Sequence, residues 1–161
     1  MDFDFIDNSP ADESKRLDVI KQFVDFIDKT LGNMSAKEAE NDFATTSTKS
    51  LEAKNGDLRV SISKRFYKNK PANSNESQFE DTRYEIDLNI SHFSDAGTTI
   101  HSETYAYSEN NPSAPFVERM TGNMSMDGIN TNHTTEKHEV GSVELAKMIQ
   151  LVSNTLALSE N

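Results

Sequence analysis

The sequence contains no cysteine. That excludes disulfides, thiolate metal sites and a cysteine nucleophile, and it points towards the cytosol. No long apolar run is present either. The first residues, Met-Asp-Phe-Asp-Phe-Ile-Asp, are acidic where a secretory signal is basic. Neither export by a signal peptide nor a membrane span is expected. Apolar residues fill only 34% of the 161 positions, which predicts long polar loops or a core shared with a partner. The length predicts one domain, able to bury roughly two-thirds of its unfolded surface.

Motifs are scarce as well. There is no Gly-x-Ser-x-Gly elbow, no phosphate-cradling glycine loop and no dinucleotide fingerprint. His133 and His138, with Glu136 and Glu139 beside them, match no helical zinc spacing and read as solvated imidazoles. His92 and His101 flank one turn and become neighbours if its strands pair. Among 27 acids, any chosen carboxylate pair is weak evidence for acid–base catalysis, which needs a pocket that splits the two pKa values. No catalytic, cofactor or metal residue is assigned. The Asn-x-Ser/Thr triplets at Asn33, Asn75, Asn89, Asn123 and Asn132 follow from a composition rich in Asn and Ser.

What is present is alternation. Leu58, Val60, Ile62 and Phe66 share one face of a strand, with Lys64 as the exception. Tyr84, Ile86, Leu88 and Ile90 do the same on the next. Asn55-Gly56 predicts a type I′ hairpin turn pairing Lys49–Lys54 with Asp57–Ile62. Residues 69–81 read as a polar loop. A third strand, Thr98–Ser108, has Ile100 and Ala106 on one face and His101, Tyr105 and Tyr107 on the other, so pattern alone leaves its inward face open. Phe116–Met120 suggests a fourth strand, and Thr121–Thr135 a loop or ragged hairpin.

Helices are expected at the two ends. Ser9-Pro10-Ala11-Asp12 is a start signal, and Gly32 a stop. Leu17, Ile20, Phe23, Val24, Ile27 and Leu31 form the apolar stripe, widened by Val19 and Phe26. Ser35-Ala36-Lys37-Glu38 resembles a capping box, predicting a short helix from Ala36 to about Phe43. Ser142 suits the cap of a final helix, whose stripe is Leu145, Met148, Ile149, Val152 and Leu156. The expected architecture is α+β: an antiparallel sheet of four or five strands flanked by N- and C-terminal helices. An acidic-aromatic arm (residues 1–8) precedes a single domain (residues 9–161).

Charge carries the functional expectation. The net charge is −11, with −6 in residues 1–42, +1 in 43–56, 0 in 57–92 and −6 in 93–161. Such a field repels a nucleic-acid backbone and suits a basic protein. The basic run Arg59, Lys64, Arg65, Lys68 and Lys70, with Phe66 and Tyr67, is either a single-strand binding patch or a set of cross-strand partners for Glu85 and Asp87. The negative surroundings favour the second. The leading expectation is a non-enzymatic, cytoplasmic binding protein whose acidic surface docks on a basic partner. Nucleic-acid-binding proteins fit that partner class, and inhibitors encoded by phages or mobile elements, including nucleic-acid mimics, fit this role by analogy. Direct nucleic-acid and membrane binding are not expected. The assigned contact residues are Phe3 and Phe5 of the arm and Asp18, Asp25 and Asp28 on the outer face of the first helix. Two alternatives stand beside it: a small-ligand binder or enzyme with a pocket between helices and sheet, and a homo-oligomeric scaffold.

Overall fold

An alternating strand needs a cover for its apolar face, and here two helices supply it. The computed structural model describes residues 10–73 and 76–159. Helix α1 (Pro10–Leu31) leads into seven strands: β1 (Lys37–Glu40), β2 (Ala44–Asn55), β3 (Leu58–Asn69), β4 (Glu80–Ser94), β5 (Gly97–Ser108), β6 (Glu118–Asp127) and β7 (Asn130–Glu139). Helix α2 (Ser142–Ser159) follows. Every strand pairs antiparallel with the next, so sheet order is chain order. The α+β class with helices at both ends is as expected, but four or five strands is too few.

The additional strands lie where polar sequence hides them. Residues 37–40 are strand β1, not a helix. Asn41 ends it by accepting the amides of Phe43 and Ala44 on its side chain, both at 2.8 Å, so turn chemistry overrides the capping box. Residues 121–135 fall almost entirely within β6 and β7, joined by a turn at Gly128 and Ile129. β7 is exposed along nearly its whole length, so it has no apolar alternation to read. The first long hairpin also shifts by one residue. Asn55 pairs with Leu58 and Lys54 with Arg59, leaving Gly56-Asp57 as the turn. Only Gly56 of these two has positive φ (61°), which fits a type II′ turn rather than type I′.

The register stacks the core in rows. Ile62 faces Leu51 and Ile86, and Ile86 faces Tyr105. Val60 faces Leu88. Onto these rows α1 lays Val19, Phe23, Ile27 and Leu31, and α2 lays Leu145, Met148 and Val152. Each large side chain so buried contributes about 1.5–3 kcal/mol. The α1 stripe is rotated from expectation. Val19 is central, while Leu17 is 66% exposed. In α2, buried Thr155 joins the stripe and donates its hydroxyl to the Leu151 carbonyl at 2.9 Å. Gly32 stops α1 as expected, with φ 49°. On β5 the inward face is that of Tyr105 and Tyr107. Among the described residues, the opposite face of the sheet carries no helix.

Candidate functional site

Alternation turns Ser61, Ser63 and Arg65 of β3 and Arg83, Glu85, Asp87 and Asn89 of β4 away from the helices. Ser61 lies opposite Asp87 and Ser63 opposite Glu85. On the other side Thr104 faces Asp87 and donates its hydroxyl at 2.7 Å. Burial among these strands pushes the Asp87 carboxyl up to about 6. The Thr104 bond opposes that shift, and the charge of Glu85, two residues along, adds to it. Arg83 is committed to Glu85, at 3.0 and 3.3 Å. Asp87 lines an open concavity of about 990 Å³ together with Glu52, Arg59, Ser61, Asn89 and Phe93. Glu85 has Arg83, so Asp87 is the carboxylate of the two that can take a cation from outside.

The helix side holds a different arrangement. Arg119 of β6 reaches Glu103 of β5 and, at 3.1 Å, Glu144 in the first turn of α2. His101 flanks Glu103 at 3.3 Å, and His138 flanks Glu144 at 2.9 Å. Burial pushes the Glu103 carboxyl up, but the bonds from Arg119 and His101 outweigh it and hold it below the usual range. This chain of charges pins the start of α2 to three strands. Beside it runs a groove of about 640 Å³ between α2 and β4–β6, lined by Leu88, Tyr105, Met148 and Leu151.

The assigned contact residues fall in several places. Phe3 and Phe5 lie outside the described residues. Asp18 accepts the Gln22 side-chain amide at 2.9 Å, and Asp25 is exposed. Asp28 is paired with Lys64 of β3 at 2.9 Å, and the same ammonium sits 5.2 Å from the Tyr84 ring centre. Along residues 13–31, Glu13, Asp18, Asp25 and Asp28 are balanced by Lys15, Arg16, Lys21 and Lys29. The acidic excess of the first 42 residues therefore lies before and after this stretch.

The three lysines of the basic run are paired, though not with Glu85 and Asp87. Lys64 takes Asp28, Lys68 takes Glu80 at 3.7 Å, and Lys70 takes Glu40. Arg65 faces Arg83, and Arg59 faces Asn89. His92 and His101 both line a depression of about 310 Å³ on the helix side, where His101 contacts Asn123 at 2.6 Å. His133 and His138 point to opposite faces of β7. The Glu85–Asp87 pair was open to sequence reasoning, because an i, i+2 spacing in a strand puts both on one face. Thr104 was not, because its approach needs the β4–β5 register. Comparison with protein-family models, curated proteins and solved structures finds no match to this chain.

Proposed function

We propose that this chain is a non-enzymatic binding protein that receives a basic partner protein on the open face of its sheet, at Asp87 and Glu85. The observation that supports this most is the state of Asp87. It is desolvated and held by a hydroxyl, and the nearby Arg83 is bonded to Glu85 and not to it. A Lys or Arg of the partner placed there stabilises the ionised form and adds a charge-assisted hydrogen bond, worth about 1.5–3 kcal/mol. The net charge of −11 attracts such a partner at long range. In this reading Asp18 and Asp25 of α1 steer rather than anchor, Asp28 is held by Lys64, and Phe3 and Phe5 supply a separate apolar contact. Occluding a nucleic-acid-binding surface is the inhibitory form of the same activity.

The experiment is affinity capture from an extract of the source cells at low and high salt, with wild type and an Asp87→Asn/Glu85→Gln variant immobilised side by side. A basic protein held by wild type at low salt, and lost from the variant, supports the reading. Equal retention by both places the contact elsewhere.

A second reading draws on the groove between α2 and the sheet. Its apolar walls and flanking Arg119, Glu103 and Glu144 suit a small amphiphilic ligand. A stabilising ligand in a thermal-shift series, with the effect lost in Leu151→Glu, would favour it.

A further inference from the structure

We infer that the open sheet face accepts an amphipathic basic helix of the partner, laid over β5 with its apolar side on a methionine stripe of β6 and its basic side at Asp87 and Glu85. The inference rests on the reading that a basic partner docks on this face, and it specifies the partner's shape.

The stripe follows from strand geometry. Met120, Gly122, Met124 and Met126 alternate to one side of β6, the side away from the helices. Ile100 lies directly opposite Met124, and Thr98 opposite Met126. Phe93, opposite Thr98 on β4, adds a ring that is 72% exposed. No helix among the described residues covers any of them. Methionine is unbranched and polarizable, and it serves surfaces that must fit an apolar partner. Gly122 leaves a dip in the stripe. The Ser102 hydroxyl leans into that dip, since a Cβ on Gly122 would come within 2.9 Å of it.

Thr104 joins the two halves of the surface. It faces Met120 on one side and Asp87 on the other. The methionine stripe and the carboxylate pair are thus two strands apart, about 10 Å, which is also the diameter of a helix with its side chains. Between them β5 presents Thr104, shorter than Asp87 and Met120 beside it, and Ala106, shorter than Glu85 and Glu118. A helix lying over β5 meets an apolar wall on one flank and carboxylates on the other. Helices are the layer a sheet face takes, as α1 and α2 already show on the far side.

Charge selects the occupant. A second copy laid face to face brings another net −11 against this surface. A basic helix instead supplies a cation for Asp87, beside the Arg83–Glu85 pair. A partner strand adding to a sheet edge would use backbone groups and leave the stripe bare.

The test uses two synthetic peptides of leucine and lysine, each about 18 residues. One is patterned as an amphipathic helix and the other is the same composition scrambled. Binding is measured by calorimetry to wild type, to Met120→Gln/Met124→Gln/Met126→Gln and to Asp87→Asn/Glu85→Gln, after circular dichroism shows each variant folded. The patterned peptide should bind wild type at least tenfold more tightly than the scrambled one, and each variant should lose that advantage. If both peptides bind alike and only the carboxylate variant weakens them, the helix is overturned while the basic partner stands. If the carboxylate variant binds the patterned peptide as wild type does, the basic-partner reading falls with it. Absence of binding, or binding indifferent to the methionines, also overturns the inference.

Discussion

Thr104 and Asp87 face one another across the β4–β5 pair, and the threonine hydroxyl donates to the carboxylate at 2.7 Å. A hydroxyl orients a carboxylate but does not neutralise it. The folded protein therefore keeps a proton on Asp87 to a higher pH than the unfolded chain does, about 6 against 3.8. Between those values the native state binds more protons, so this group's contribution to stability falls as pH rises and then levels off. Asn at position 87 keeps an acceptor for Thr104 and carries no charge. The melting temperature of Asp87→Asn relative to wild type should climb from pH 4 to about pH 6.5 and then stay constant. A difference independent of pH would show that Asp87 ionises normally.

The turn glycines should rank by geometry. At Gly56 an added Cβ meets nothing within 4 Å, so Gly56→Ala suffers only the positive φ and should lose about 1–2 kcal/mol. At Gly97, φ is 140° and an added Cβ overlaps the Met126 carbonyl oxygen, which is backbone of the next strand. Gly97→Ala should cost more than about 3 kcal/mol, because β5–β6 pairing must give way. Urea unfolding of both variants checks the order.

The centre of the sheet was readable because helices cover it. Where Val60, Ile62, Ile86 and Leu88 pack under α1 and α2, the sequence must alternate, and it does. Towards β7 the cover ends, both faces meet water, and residues such as Asn132, Thr134 and Glu136 carry no period. The Asn55-Gly56 turn was located to within one residue, because glycine marks positive φ without saying which turn position it fills. The candidate site was half readable. Glu85 and Asp87 share a face by spacing alone, but the desolvation of Asp87 comes from strands distant in sequence. Asp28 was assigned to a free acidic face because helical spacing says nothing of Lys64, which reaches it from β3.

Arg119 should be worth more to stability than any exposed ion pair of the chain. Its side chain is 22% exposed and lies between Glu103 and Glu144. Arg119→Met leaves two carboxylates without their cation, at a cost of about 2 kcal/mol once partial solvation is allowed for. Lys137→Met removes an exposed pair with Glu118 at 3.8 Å and should change little. Amide exchange in the first turn of α2 should rise in the first variant only.

Asp28 and Asp25 separate structure from steering. Asp28→Asn breaks the pair with Lys64 and should lose about 0.5–1 kcal/mol, a small value because both side chains are partly exposed. Asp25→Asn should leave chemical stability unchanged. The account also expects Asp25→Asn to slow association with a basic partner without changing which partner binds, as loss of a steering charge does. Stopped-flow association at two ionic strengths measures this.

The most direct test of the open sheet face as a docking surface is a methionine-methyl NMR titration of the full chain with the patterned leucine–lysine peptide. The protein has six methionines, of which Met120, Met124 and Met126 lie on the open face of β6 while Met148 of α2 is buried against the other face of the sheet. The account predicts that the three β6 methyls shift together and saturate with the peptide, with Met34 and Met148 unmoved. Shifts at Met34 or Met148 with the three β6 methyls still would contradict it.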